Sequence, residues 1–109
     1  MKIEQKGKAV IIKDTENQFQ DFAQKVVRER ENFLTQNLII DLTRVAVTES
    51  DLQLLAPVAL AHMESNQSFV IVADVHFSDL DEEELIVVPT LQEAHDLIEM
   101  DEIGRDLGF

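Results

Sequence analysis

Three aspartates follow predicted strands and could act together. Asp14, Asp41 and Asp74 each stand at the end of an apolar, β-branched run. In an open parallel sheet such strand ends converge on one crevice, where ligands usually bind. Three carboxylates in that crevice would suit Mg²⁺ or would accept a phosphoryl group. Aspartate is also a routine turn residue at strand ends, and this second interpretation requires no ligand.

The acidic crevice leads to one candidate function, a phosphotransfer or receiver-like domain with Mg²⁺ bound by the strand-end aspartates. The receiver pattern has adjacent acids after its first strand and a lysine after its last. Here the last predicted strand runs into Val87, Val88, Pro89 and Thr90, without a lysine. The sequence therefore favours the turn-residue interpretation and keeps phosphotransfer as the alternative.

The other reactive residue types are sparse and unfavourably spaced. The histidines, His62, His76 and His95, include no pair four residues apart on a helix, as a metal site would use. The chain has no cysteine, which excludes a thiolate nucleophile and a cysteine-ligated zinc site. Its three glycines are scattered and form no phosphate-binding loop. We therefore expect no enzymatic activity, no metal and no cofactor.

The charge is acidic and unevenly distributed. The net charge is −13, and residues 74–109 hold twelve acidic side chains against one basic one, Arg105. Such a surface repels phosphate backbones and anionic lipid, so we expect neither nucleic acid nor a membrane as partner. The charges either keep the protein in solution or form a docking face for a basic protein. The candidate residues of that face are Asp81, Glu82, Glu83, Glu84, Glu99 and Glu102, with Leu107 and Phe109 as an apolar anchor.

Length and composition indicate one globular domain over residues 1–109. The chain has 109 residues, of which 45% are hydrophobic, typical of a folded domain. We expect a cytoplasmic protein, because the N-terminus lacks the apolar run of a signal peptide and no stretch approaches a membrane span. The sequence is compatible with a homo-oligomer and does not determine the oligomeric state.

Four apolar runs predict strands, a short strand is possible at residues 2–5, and amphipathic stretches between the later runs predict helices. Continuous apolar strands that alternate with helices indicate a largely parallel sheet. The fold class is therefore α/β, with a small, mostly parallel sheet of four to five strands, an antiparallel edge strand and helices packed on it. The predicted strands cover residues 2–5, 8–13, 38–42, 68–73 and 85–88.

Capping boxes predict where two of the helices begin. Thr15 with Gln18 fits such a box for the first helix, and Thr90 with Glu93 fits one for the last. Inside the second helical stretch, Pro57 should cause a kink or begin a second half.

The strands and the helix stripes should share one core. Val27 falls within the apolar stripe of the first helical stretch, which should face the core, and Leu54 is one of the apolar residues of the second helical stretch. The core is predicted to hold Leu38, Ile40, Val70, Val72, Ile86 and Val88 against Phe22, Val26, Leu55, Leu97 and Ile98.

The middle of the chain resembles a STAS domain, the family of anti-sigma factor antagonists and sulfate-transporter tails. Residues 37–45 (NLIIDLTRV) resemble the family's apolar strand ending in Asp-Leu, and residues 48–52 (TESDL) its strand-to-helix turn. Residues 69–73 and 89–94 also resemble the family, and the likeness covers residues 8–98. The resemblance implies a small α/β regulator that docks on another protein, a regulatory or scaffolding module without enzymatic activity.

Ser50 is the candidate switch position that the resemblance implies. In phosphorylatable members, a serine at the start of the second helix is modified within an Asp-Ser-Ser-Gly-like turn. Here the turn reads Glu49, Ser50, Asp51 and Leu52, so that only Ser50 matches. The missing glycine hinders close approach of a kinase, and Asp51 would repel a phosphate. We predict that Ser50 caps the second helix and is not a working phosphoswitch.

The complete chain also resembles short bacterial chains labelled ribonuclease Z. That enzyme holds two zinc ions through a His-x-His-x-Asp-His cluster, and its fold is far longer than this chain. None of the three histidines has that spacing. The residues therefore do not support ribonuclease Z activity.

Overall fold

A computed structural model describes residues 1–73 and 85–108. These residues form a five-stranded sheet in which spatial order follows chain order. The first two strands are antiparallel, and every other neighbouring pair is parallel. The predicted α/β class, with an antiparallel edge strand on a mostly parallel sheet, is confirmed. The strands are β1 (Lys2–Lys6), β2 (Ala9–Lys13), β3 (Asn37–Asp41), β4 (Phe69–Val72) and β5 (Ile86–Val88).

Four α-helices accompany the described strands, and a 3₁₀ turn over Arg30–Phe33 follows the first of them. Pro57 stands in the first turn of its helix, where the missing N–H removes no intrahelical bond. The prediction that this proline begins a second half of the helical stretch is therefore confirmed. The helices are α1 (Phe19–Glu29), α2 (Glu49–Gln53), α3 (Ala56–Glu64) and α4 (Leu91–Asp106).

The start of α1 differs from the prediction. Gln18 is the N-cap residue and makes no side-chain capping bond, so the capping box of Thr15 and Gln18 is wrong. The carboxylate of Asp14 accepts a hydrogen bond from the backbone N–H of Glu16, which turns the chain away from the strand. Asn17 then has φ 55, a left-handed conformation that an α-helix does not contain. The helix can begin only after Asn17.

The core is divided by the sheet into two clusters, where the sequence predicted one. Successive residues of a strand point to opposite faces. Leu38 and Ile40 therefore pack with α1, α2 and α3, whereas Val70 and Val72 pack with α4 on the other face. Ile86, Val88 and Leu97 are only partly buried against the second cluster. The α4 face buries Ala9, Ile11, Ile39, Val70, Val72, Ala94 and Ile98.

Candidate functional site

An apolar cleft opens between α1 and the end of α2. It has a volume of about 380 Å³. Val27 and Leu54 form its apolar walls, and each remains 51% exposed. Gln20, Ala23 and Gln24 of α1 complete the lining. Two large apolar side chains held half in water at the same cleft make a surface that an apolar group of another molecule would cover.

The exposure of Val27 corrects the prediction that it faces the core with the rest of its stripe, and Leu54 of the second helical stretch is equally exposed. Their neighbours in the chain, Val26 and Leu55, are fully buried on the sheet side. Val27 lies about 100° further around α1 than Val26, which directs it to the cleft, and Leu54 lies in the turn between α2 and α3, where Leu55 is the residue that is buried.

Thr48, not Ser50, caps α2. The side chain of Thr48 accepts a hydrogen bond from the backbone N–H of Asp51 at 3.1 Å, and the Asp51 carboxylate accepts one from the backbone N–H of Thr48 at 3.0 Å. This reciprocal pair is a capping box. Ser50 is the second residue of the helix and is exposed, so the prediction that it caps α2 is wrong. Thr48, Ser50 and Asp51 are all residue types that favour N-cap positions, and Thr48 is the one with the extended backbone and the side-chain bond of a cap.

Asp14 and Asp41, two of the three strand-end aspartates, are buried. Oδ1 of Asp41 accepts hydrogen bonds from the backbone N–H and the hydroxyl of Thr43, so it holds its own turn. Oδ1 of Asp14 accepts from the N–H of Glu16, as the turn-residue interpretation expects. Within the described residues, Oδ2 of Asp14 is buried without a hydrogen-bond partner. Asp74 lies outside the described residues.

The two buried aspartates face opposite sides of the sheet. Lys13 is the register partner of Asp41, and both line one cleft of about 220 Å³ on the α4 side. Asp14 is the next residue along, and its N–H continues the ladder to the carbonyl oxygen of Asp41. The pleat therefore directs the Asp14 side chain to the α1 side. Within residues 1–73 and 85–108, no three acidic or histidine side chains form a group that could hold a metal. Asp14 and Asp41 therefore do not converge on one crevice, and this part of the three-aspartate prediction is wrong; Asp74 lies outside the described residues.

The predicted docking acids have different environments. Glu99 is exposed on α4. Glu102 has hydrogen-bond partners of its own: its Oε1 accepts hydrogen bonds from Nδ2 of Asn37 at 2.7 Å and from Nη2 of Arg105 at 2.8 Å. These two donors hold the pKa of the Glu102 carboxyl below its ordinary range. The Glu102 carboxylate is thus already paired within the chain, and its assignment to the docking face stays a prediction. Asp81, Glu82, Glu83, Glu84 and Phe109 lie outside the described residues.

The network around Asn37 is a structural feature that the sequence did not reveal. Asn37 begins β3 and is almost fully buried. Its side chain also donates to the carbonyl of Lys8 and accepts from the N–H of Ser68, so it joins the starts of three neighbouring strands. Nη2 of Arg105 donates to Oδ1 of Asn37 at 3.0 Å, which attaches the end of α4 to the same point.

The chain matches no protein-family model, and the search of curated proteins found no match. None of the helices in residues 1–73 and 85–108 is long and apolar enough to cross a bilayer.

Proposed function

We propose that this protein is a non-enzymatic, STAS-like regulatory or scaffolding module of the cytoplasm, which acts by binding another protein. The observation that carries the proposal is the apolar cleft between α1 and α2, with Val27 and Leu54 each half exposed. Covering both side chains would remove apolar surface from water, which is the main favourable term in most protein association.

The position of the cleft supports a STAS-like mode of docking. The resemblance concerns the strand-to-helix turn at residues 48–52, and Leu54 follows directly after α2. The capping box of Thr48 and Asp51 fixes the start of this short helix, and Leu52 and Leu55 anchor it in the core. A fixed α2 presents Leu54 in one position, which lowers the entropic cost of binding.

Interaction with a native partner tests this function. The full chain would be used as bait in an extract of its native cell, as wild type and as Leu54→Gln and Val27→Gln variants. We expect one set of captured proteins that both variants lose. Leu60→Gln is the matched control, since Leu60 is similarly exposed on α3 and lies outside the cleft. Captured proteins that are the same for all four baits would contradict the cleft as the binding site.

The phosphotransfer alternative has its own test. The protein would be incubated with Mg²⁺ and a small phosphodonor, and intact mass measured. A covalent aspartyl phosphate, lost in Asp14→Asn or Asp41→Asn, would replace the binding proposal with phosphotransfer. We expect the mass to stay unchanged, because Asp14 and Asp41 face opposite sides of the sheet.

A further inference from the structure

The outer surface of α4 carries a second apolar feature. Met100, Ile103 and Leu107 are 72%, 58% and 66% exposed. Their spacing of three and four residues places them on one face of the helix. Ala94 and Ile98 are buried against the sheet on the opposite side. The C-terminal half of α4 is therefore apolar on the face that meets water as well as on the face that meets the core. Met100, Ile103 and Leu107 are called the α4 stripe below.

Acidic side chains lie along one edge of the α4 stripe and one turn before it. Asp96, Glu99 and Asp106 are exposed on the same helix. The helix has one basic residue, Arg105, and its guanidinium is directed to Asn37, Ser68 and Glu102 at the sheet side. On the described part of α4 the exposed charged side chains near the stripe are therefore acidic, while Lys6 and Lys8 of the β1–β2 hairpin lie beside Glu99 at the edge toward the sheet.

An apolar stripe with acidic side chains beside it favours some binding partners over others. A second copy of the chain would bring a like-charged border against the first, and such juxtaposition opposes association. A partner helix with an apolar face and lysine or arginine borders would satisfy both features. Met100 suits such a contact, since a flexible, polarisable side chain adapts to different apolar neighbours.

We propose that the α4 stripe binds a basic amphipathic helix of a partner protein. This site goes beyond the α1–α2 cleft, because α4 lies on the other face of the sheet. The acidic border would attract the basic helix from a distance, and the stripe would hold it once bound. A module with a docking site on each face can connect two proteins, which is the function of a scaffold.

The test uses a labelled peptide of about 18 residues, the length of five helical turns, with leucines along one face and lysines on the other. Its binding to the full chain would be measured by fluorescence anisotropy, next to a peptide of the same composition in scrambled order. We expect the amphipathic peptide to bind about tenfold more tightly than the scrambled one, a difference of about 1.4 kcal/mol. Equal binding of the two peptides would mean that only net charge is recognised and would overturn the proposal.

Variants then locate the site. Met100→Gln with Ile103→Gln should weaken binding of the amphipathic peptide about tenfold, and Glu99→Gln with Asp106→Asn should slow association at low salt. Leu54→Gln should leave peptide binding unchanged, which separates this site from the α1–α2 cleft. Circular dichroism would confirm that each variant folds. Unchanged affinity in the Met100 and Ile103 variant would overturn the proposal. So would a dimer, detected by analytical ultracentrifugation, that the same variant dissociates, because the occupant would then be a second copy.

Discussion

Nε of Arg30 donates a hydrogen bond to Nδ1 of His62 at 3.2 Å, so that a permanent cation rests against an imidazole. Because arginine can only donate, Nδ1 must be the unprotonated nitrogen of the ring. Nε2 lies 2.6 Å from the carbonyl oxygen of Gln36 and donates to it. His62 is fully buried, and its ring packs edge-on against Phe69. The neutral histidine is thus a built-in part of the contact between α3 and the sheet.

The protonation of His62 should make the fold sensitive to acid. Burial is the largest influence on the pKa of His62 and holds it below its ordinary value. The hydrogen bond to the Gln36 carbonyl acts in the opposite direction, and the charge of Arg30 lowers the pKa further. The unfolded chain therefore takes up a proton near pH 6.5 that the folded chain does not. The contribution of neutral His62 to the free energy of unfolding is therefore fully present above about pH 6.5 and is lost as the pH falls below that value. Urea unfolding midpoints at pH 7.5 and 5.5 should differ more for wild type than for His62→Gln.

The matched control for this pH dependence is His95→Gln, which removes a half-buried histidine from α4 instead. If His95→Gln changed the difference between the two midpoints as much as His62→Gln does, the buried histidine would not be its source. The difference between pH values is the measured quantity, so a general loss of stability in either variant does not confuse the result.

The cap of α2 predicts a contrast between two neighbouring hydroxyls. Thr48→Ala removes the acceptor for the N–H of Asp51 and should lower the free energy of unfolding by about 1 kcal/mol. Ser50→Ala should change it by less than about 0.5 kcal/mol, as for an exposed position. Chemical denaturation of both variants measures the contrast, and equal losses would contradict the assignment of Thr48 as the cap.

Ser50→Asp tests the switch that the STAS resemblance implies. Ser50 is exposed in the first turn of α2, where a negative charge is tolerated by the helix dipole. We expect the variant to fold and to capture the same partner as wild type. Loss of the partner in Ser50→Asp with retention in Ser50→Ala, both with unchanged circular dichroism, would show a working phosphoswitch.

Truncation of the central strand should be costly. Ile40 has no exposed surface and belongs to the cluster on the α1 side. Ile40→Ala should lower the free energy of unfolding by about 2–5 kcal/mol, because the removed atoms leave a cavity that the rigid sheet cannot close. Ile3→Ala on the edge strand is the control, since Ile3 is exposed and should cost far less. A small loss for Ile40→Ala in urea unfolding would disagree with its burial.

Removal of the Asn37 side chain should loosen the starts of three strands and the end of α4. Asn37→Ala leaves the buried N–H of Ser68 without its acceptor, and each such group costs about 1–3 kcal/mol. Thermal unfolding would measure the loss, with Gln92→Ala on the exposed side of α4 as control. The pKa of Glu102 should rise toward its ordinary value, since Asn37 is the main cause of its lowering. The stability from Glu102, present above about pH 4.3 and lost in more acid solution, should then be reduced.

The sequence by itself determined the α/β class, the antiparallel edge strand and the start of the last helix. β-branched runs favour strands. The side chain of Thr90 accepts a hydrogen bond from the N–H of Glu93, which is one of the two bonds of the predicted capping box. These features depend on residues close together in the chain, and short-range chemistry is readable from the order of residues alone.

Only the tertiary structure decided which side chains meet. Val27 and Val26 are chemically identical, and one is exposed because α1 can turn a single narrow face to the sheet. The sequence around Glu102 is that of a surface acid, but in the fold its carboxylate accepts a hydrogen bond from Asn37, which is 65 residues away in the chain. Asp14 and Asp41 follow neighbouring parallel strands, yet a one-residue difference in register directs them to opposite faces. The exposure of a side chain, its hydrogen-bond partners and the face of the sheet to which it points depend on the positions of distant segments. No local sequence pattern contains that information.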